Sequence, residues 1–199
     1  MGKIYYLMGK SASGKDTLYE ELFKIEDLKL HRIIMYTTRP IREKETDGCE
    51  YHFVNDKEAD RLLASGRVIE LRTYDTIHGL WRYFTVADEQ IDPSEKDYLA
   101  IGTLVSYQKL RDYYGAGIVV PIYIEVEDGL RLERALKRER KPQNQKYEEM
   151  CRRFLADAAD YAEENIRNAG IERRFYNNED RSECLAEIAE FIRREQKGE

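Results

Sequence analysis

The sequence predicts an α/β fold in which a parallel sheet is covered by helices on both faces. Three observations support this fold. Short apolar or β-branched runs alternate with longer segments of helical periodicity, which is typical of parallel sheets. A glycine-rich loop joins the first strand to the first helix. Residues 37–87 are rich in strand patterns and interrupt the alternation, which indicates a small β-rich insertion.

The elements can be placed in chain order from periodicity and turn residues. We expect strands at residues 3–8, 31–35, 51–54, 67–74, 81–85, 98–101, 118–126 and 172–176. We expect helices from residue 15, near 55–65, through 110–114, over 128–141, over 145–168 and from about 180 to 195, with a loop over 37–50. Gly66 and Gly170 would end two of these helices. The strongly β-branched stretch from Ile118 to Val126 gives the clearest strand signal of the chain.

Composition favours one globular domain without large basic or apolar regions. The 199 residues are 42% hydrophobic and 36% charged, with a net charge of −6. This acidic balance argues against general binding of nucleic acid. We find no apolar run of membrane-spanning length and no signal-peptide pattern before the first strand. The three widely spaced cysteines lack metal-ligand spacing, so we expect a reduced, cytoplasmic protein that is not bound to a membrane.

The glycine-rich loop has the Gly-x4-Gly-Lys pattern of a phosphate-binding loop. Its backbone N–H groups and the start of the next helix favour an anion, and Lys15 reaches the outer phosphates of a nucleoside triphosphate. The position after Lys15 normally carries Ser or Thr, whose hydroxyl binds Mg²⁺, but here it is Asp16, followed by Thr17. We expect both to serve a metal site. The predicted ATP-binding residues are Gly9, Lys10, Ser11, Ala12, Ser13, Gly14, Lys15, Asp16 and Thr17.

A second group of phosphate-binding side chains lies between residues 37 and 53. Arg39 and Arg42 offer forked donors that suit a phosphate, and Tyr51 adds a hydroxyl. Taken alone, the segment could instead be a solvated charged loop, because it also carries several carboxylates. The phosphate-binding loop upstream favours the first interpretation.

This segment resembles the guanylate kinase family, whose pattern is Thr-Thr-Arg-x-Pro-Arg-x-Gly-Glu-x-x-Gly-x-Asp/Glu-Tyr-x-Phe. The matching residues are Thr37, Thr38, Arg39, Arg42, Glu45, Gly48, Glu50, Tyr51 and Phe53. In the family, the matching arginines and tyrosine hold the phosphate of the acceptor nucleotide. Glu70, in Val68-Ile-Glu70, resembles the family glutamate that accepts hydrogen bonds from guanine, a role that suits an ionised carboxylate. Tyr83, in a distorted copy of another family motif, would be a further phosphate ligand.

The resemblance implies a single domain over residues 1–199 with a P-loop NTPase-type parallel sheet. Its core would comprise 1–36 and 97–199, with a monophosphate-binding insertion at 37–87 and a helical lid near 137–147. It implies a cytoplasmic phosphotransferase that uses ATP with Mg²⁺ and phosphorylates a nucleoside monophosphate, with GMP as the leading acceptor. The sequence leaves open whether the protein is a monomer or a homodimer.

Several positions depart from the family pattern. Met35 stands where a guanine-contacting Ser is usual, and Ala100 and Gly102 replace two Asp. Lys44 replaces a Gly. These losses and the gain of Asp16 suggest that Asp16 takes over metal binding from a missing carboxylate. The loop with Asp16 is also similar to that of ribose 1,5-bisphosphate phosphokinases, which lack the paired Asp but also lose the segment around Tyr51.

An arginine-rich stretch follows at the expected lid. Phosphoryl transfer spreads negative charge that positioned cations stabilise, and we choose Arg138, Arg140 and Arg153 as catalytic residues together with Lys15. The alternative is a solvated helix with Glu/Arg pairs, which must apply to some of these arginines. Residues 177–180 resemble the family segment near the adenine of ATP.

Two other functions stay open. One is a related kinase that acts on a phosphosugar or a non-guanine nucleotide. The other is a non-catalytic binding module, as in guanylate-kinase-like domains of scaffold proteins, but those typically lose the lysine that this chain keeps at Lys15.

Overall fold

A computed structural model describes residues 1–43, 45–76, 79–141 and 145–199. The strands are β1 Ile4–Met8, β2 His31–Arg32, β3 Tyr36–Thr37, β4 His52–Phe53, β5 Val68–Thr76, β6 Gly79–Val86, β7 Tyr98–Gly102, β8 Val119–Glu125 and β9 Arg174–Tyr176. The helices are α1 Lys15–Leu22, α2 Asp56–Ala64, α3 Leu104–Tyr114, α4 Asp128–Glu139, α5 Tyr147–Asp160, α6 Glu163–Asn168 and α7 Arg181–Lys197, with a 3-10 turn at Glu26–Leu28. Lys44, which the sequence interpretation used, lies outside the described residues.

Five strands form a parallel sheet in the order β2-β7-β1-β8-β9. The central strand β1 is buried along its whole length, as its apolar sequence predicts. Alternate β1 residues belong to two different cores, because successive side chains of a strand point to opposite faces. One core also holds residues of α3 and α6, and the other holds residues of α1 and α7. The predicted fold, a parallel sheet covered on both faces, is therefore confirmed.

A second, mixed sheet has the order β4-β3-β6-β5. Its longest pairing is antiparallel and runs from Val68 opposite Val86 to Thr76 opposite Gly79. A small core under this sheet contains residues from α2 and β6. Hydrogen bonding from Ser106 of α3 to Glu70 of β5 ties the second sheet to the first. Both sheets therefore meet near Glu70.

Two element predictions were wrong. The strand expected at 31–35 ends at Arg32, and the chain re-forms a strand only at Tyr36, where it pairs with β6 of the second sheet. The helix expected over 145–168 is two helices, because Tyr161 leaves helical geometry and its ring stacks on Tyr123 of the core at 5.7 Å. Gly170 does follow the second of these helices with a positive φ of 68°.

In the described part of the chain, each helix is too short or too polar to cross a membrane.

Candidate active site

The glycine-rich loop lies between β1 and α1, as its sequence predicts. Gly14 precedes α1 with φ +86°, a conformation that favours glycine. A Cβ at Gly14 would also lie 2.5 Å from Nδ2 of Asn177. At Gly9, a Cβ would lie 2.6 Å from the carbonyl oxygen of Ile124. Both glycines are therefore required by close packing of the loop against β8 and the segment after β9.

A buried arginine braces the loop from the side of α4 and α5. Arg131 is fully buried and donates from Nη1 to the carbonyl of Ser11 at 3.0 Å, while its Nε and Nη2 donate to Asp128 at 3.0 and 2.8 Å. The Ser11 N–H donates to Asp157 at 2.6 Å. The guanidinium also lies 4.4 Å from the ring centroid of Phe154. Its hydrogen bond holds the pKa of the Asp128 carboxyl below the usual range.

A cleft of about 550 Å³ opens beside the loop and is called here the donor cleft. Its lining residues are Gly14, Thr17, Glu21, Arg134, Asn177, Glu179, Asp180, Arg181, Ser182 and Leu185. Asn177 is buried and donates from Nδ2 to the carbonyl of Ser13 at 2.8 Å. Arg134 donates to the carbonyls of Asn177 and Asn178 at 2.9 and 3.2 Å. Residues 177–180, which resemble an adenine-binding segment, therefore contribute to this cleft.

A second cleft of about 650 Å³ lies between the two sheets and is called here the acceptor cleft. Its lining residues are Tyr6, Asp16, Tyr19, Glu20, Arg32, Ile33, Ile34, Met35, Gly48, Cys49, Glu50, Tyr51, Thr85, Ala100, Ile101 and Leu110. The first turn of α1 separates the two clefts, because Asp16 lines the acceptor cleft and Thr17 lines the donor cleft. Two groups, one bound in each cleft, would therefore meet at the start of this helix.

The side chains at the start of α1 fit a hard cation. Asp16 is 81% exposed, and its carboxylate lies 3.8 Å from Nζ of Lys15. Thr17 is also exposed. Within the described residues there is no group of three His, Cys, Asp or Glu side chains placed to hold a metal. Mg²⁺ does not require such a group, because it is usually held by one or two protein oxygens together with substrate phosphates and water.

Three residues predicted to bind the acceptor phosphate, Arg39, Tyr51 and Tyr83, lie together, and Tyr51 lines the acceptor cleft. Arg39 is buried and forms two hydrogen bonds with Glu45, at 2.8 and 2.9 Å, which raise the pKa of its guanidinium. The Tyr51 ring lies 5.5 Å from the Arg39 guanidinium and 5.6 Å from the Tyr83 ring. Burial raises the pKa of the Tyr51 phenol. Arg42 is exposed on the same loop, where its backbone N–H donates to Glu45 at 2.8 Å.

Glu70 is buried and contacts Thr85, which lines the acceptor cleft. It accepts hydrogen bonds from Thr85, Ser106 and Arg72 at 3.0, 3.1 and 3.1 Å. Arg72 also contacts the sulfur of Met35 at 3.2 Å. Sequence reasoning did not select Arg72, because its contact with Met35 depends on the fold.

The positions where the family has acidic residues are closed by a tyrosine. Ala100 is buried at the wall of the acceptor cleft. A Cβ at Gly102 would lie 2.1 Å from the hydroxyl of Tyr6, so the tyrosine occupies the space that a larger side chain would need. Tyr6 is itself buried and lines the cleft.

The predicted catalytic arginines of the lid lie on α4 and α5. Arg138 and Arg140 are exposed at the end of α4. Arg153 pairs with Glu149 of its own helix at 2.7 Å. The expected lid near 137–147 includes residues 142–144, which lie outside the described part of the chain. Their catalytic roles stay predictions.

Comparison with known proteins decides the family. The family model for guanylate kinase matches residues 1–193. The chain belongs to the guanylate kinase family. It is 30% identical over 117 residues to a guanylate kinase of Porphyromonas gingivalis, covering 58% of this chain and 61% of that protein. It is 29% identical over 136 residues to one of Streptococcus pyogenes serotype M3, covering 65% and 62% respectively.

The matched segments span about three fifths of the length of these curated relatives. A crystal structure of a guanylate kinase from Anaplasma phagocytophilum superposes with a TM-score of 0.62. That comparison covers 98% of this chain and 86% of the other at 23% identity. It is a likeness of fold, and it confirms the α/β architecture predicted from the sequence.

Membership in the guanylate kinase family confirms the resemblance seen around residues 37–53. Sequence reasoning missed Arg131 and Asp157 as residues that position the phosphate-binding loop. A usable signal existed for the first, because Asp128 and Arg131 have the i, i+3 spacing of a helical ion pair. No local signal pointed to Asp157, whose partner Ser11 is 146 residues away along the chain.

Proposed function

We propose that the protein transfers the γ-phosphoryl group of MgATP to a nucleoside monophosphate, with GMP as the leading acceptor. One observation carries the proposal: Thr17 lines the donor cleft while its neighbour Asp16 lines the acceptor cleft. A phosphate bound by the loop and a phosphate bound near Arg39 would therefore face each other across the first turn of α1. Family membership supports the same chemistry. The proposal also includes a cytoplasmic location.

The residues of the donor side would position ATP. The loop amides and the start of α1 attract the phosphates, and Lys15 neutralises charge on the outer oxygens. Arg131 and Asp157 keep the loop in this conformation through Ser11. Asp16 and Thr17 would hold Mg²⁺, which supplies charge stabilisation to the transferred phosphoryl group when bound.

The residues of the acceptor side would position the attacking phosphate. Arg39, Arg42, Tyr51 and Tyr83 would bind its oxygens, and residues 37–87 would form the acceptor-binding insertion of the single domain. The attacking oxygen is already anionic, so no general base is needed. Arginines of the lid, of which Arg153 is the first choice, would stabilise the charge that develops in transfer.

The direct test is ADP formation from ATP with a panel of acceptors: GMP, dGMP, AMP, UMP and ribose 1,5-bisphosphate. Fast turnover of GMP, lost in Lys15→Met, supports the proposal. Turnover of ribose 1,5-bisphosphate alone would support the related phosphosugar kinase, which the departures at Met35, Ala100 and Gly102 favour. Nucleotide binding without turnover of any acceptor would indicate a binding module.

A second test concerns Asp16. If its carboxylate helps to hold Mg²⁺, Asp16→Ala should lower kcat about 10- to 100-fold, as loss of a metal-supporting residue typically does. The KM for the acceptor should change little, because the acceptor phosphate is bound elsewhere. Glu26→Ala, which removes an exposed carboxylate just after α1 that lines neither cleft, is the matched control. An unchanged kcat at all Mg²⁺ concentrations contradicts the metal role of Asp16.

A further inference from the structure

Glu70 has no free hydrogen-bonding position in this structure. Its Oε1 accepts from the Thr85 hydroxyl at 3.0 Å and from Nη2 of Arg72 at 3.5 Å. Its Oε2 accepts from Nε of Arg72 and from the Ser106 hydroxyl, both at 3.1 Å. An ionised carboxylate offers about four lone-pair positions, so these donors use its whole capacity. A further donor can bind Glu70 only by displacing one of them.

Arg72 lies behind the acceptor cleft, beside Glu70 and against Met35. Met35 lines the cleft and its sulfur contacts Nη2 of Arg72 at 3.2 Å. The Glu70 side chain is 3% exposed, whereas that of Arg72 is 21% exposed. In the antiparallel register, Arg72 lies opposite Tyr83 and Glu70 lies opposite Thr85. Arg72 is therefore next to Glu70 on the sheet, on the side of Tyr83, which is a predicted phosphate ligand.

We propose that Arg72 sets the acceptor specificity of the cleft by occupying Glu70 and presenting a guanidinium in its place. This inference rests on the proposed phosphoryl transfer, and it argues against GMP as the preferred acceptor. The Watson–Crick edge of guanine has one acceptor, O6, and adjacent N1–H and N2–H donors that need an acceptor such as a free carboxylate. A guanidinium has five donors and no acceptor. The cleft therefore favours a phosphorylated acceptor whose far end presents hydrogen-bond acceptors, such as carbonyl oxygens or a second phosphate.

The wall of the cleft formed by β1 and β7 supports the same preference. The hydroxyl of Tyr6 fills the space beside Gly102, where a Cβ would approach it to 2.1 Å. No acidic side chain can be accommodated at this position without moving the tyrosine. Position 102 therefore offers no substitute for the carboxylate that Arg72 occupies.

The test measures GMP binding by calorimetry, without turnover. Arg72→Ala should bind GMP at least about 10-fold more tightly than the unaltered protein, because Glu70 becomes free to accept from guanine. Adding Glu70→Gln to Arg72→Ala should abolish the gain. Arg67→Ala removes an exposed arginine just before β5 and should leave GMP binding unchanged. Should Arg72→Ala fail to fold, Arg72→Met retains the length of the side chain without its donors.

Weaker or unchanged GMP binding in the folded Arg72 variant overturns the proposal, since Arg72 would then contact the acceptor or have no role in selecting it. A second arm titrates UMP and ribose 1,5-bisphosphate. At least one of these ligands should bind the unaltered protein about 10-fold more tightly than it binds Arg72→Ala. If neither ligand shows this difference in affinity, the proposal is also overturned. If none of the tested acceptors supports ADP formation, the proposed catalytic function fails. The GMP titration still decides the role of Arg72.

Discussion

The arginine beneath the phosphate-binding loop gives the most quantitative prediction for this protein. Replacing Arg131 by Met keeps the apolar length that packs on Phe154 but removes every donor. Asp128 is 54% exposed, so water can replace its ion pair with Arg131. Loss of that ion pair therefore contributes little to the change in stability. The Ser11 carbonyl and Asp157, which is 16% exposed, lose a charged donor at 3.0 and 3.5 Å. Hydrogen bonds to charged groups contribute about 1.5–3 kcal/mol each when well formed.

We therefore expect Arg131→Met to lower the free energy of unfolding by roughly 3 kcal/mol, near the lower end of the cost of breaking a buried ion pair. In a chain of this size, each kcal/mol lowers Tm by about 2–4 °C, so Tm should fall by roughly 6–12 °C. The KM for ATP should rise as well, because the loop loses its support at Ser11.

The assay is thermal unfolding followed by circular dichroism, combined with ATP titration of the folded variant. Arg152→Met is the matched control, because Arg152 is 65% exposed and pairs only locally with Glu149 on α5 among the described contacts. It should leave Tm within about 2 °C of the unaltered protein. Equal Tm values for both variants would refute the reasoning that Arg131 supports the loop through buried contacts.

Two further predictions concern packing and titration. Gly102→Ala should destabilise the fold by about 1–3 kcal/mol in urea unfolding, because its Cβ meets the Tyr6 hydroxyl, and Tyr6→Phe should recover part of the loss; an equal loss in both backgrounds contradicts this explanation. Burial raises the pKa of the Cys184 thiol to about 12. Its contribution to stability should therefore be complete below its ordinary pKa and lost as pH rises towards 12, so Cys184→Ala should flatten the decline measured by urea unfolding in that range. In the native protein a thiol reagent should modify the exposed Cys49 and Cys151 and reach Cys184 only after unfolding; rapid modification of all three would contradict its burial.

Local chemistry made much of the fold predictable. The strand, loop and helix around Gly9 to Thr17 follow from a short apolar run, two glycines and helical spacing. All of these lie close together in the sequence. The predictions failed where distant contacts decided the outcome. The strand predicted at 31–35 ends at Arg32, because the chain joins the second sheet at Tyr36, which pairs with Phe84 of β6. The helical pattern over 145–168 is interrupted because Tyr161 packs on Tyr123.

The candidate site shows the same division. The spacing of Arg39, Arg42 and Tyr51 indicated a phosphate site, and the structure places Arg39 and Tyr51 near Tyr83 of a later strand. The sequence could not show that Arg39 is already paired with Glu45, because a register match carries no information about side-chain partners. The same holds for the residues that brace the loop.

By itself, the sequence determined the family, the phosphate-binding loop and the unusual aspartate at its end, because these depend on residue type and short spacing. Only the tertiary structure decided that Asp16 and Thr17 line different clefts, that Tyr6 closes the space beside Gly102, and that Arg72 occupies Glu70. The physical reason is that hydrogen-bonding capacity and free volume are shared between side chains from distant strands and helices. Folding alone brings these groups together, and their pairing fixes which positions remain open to a substrate.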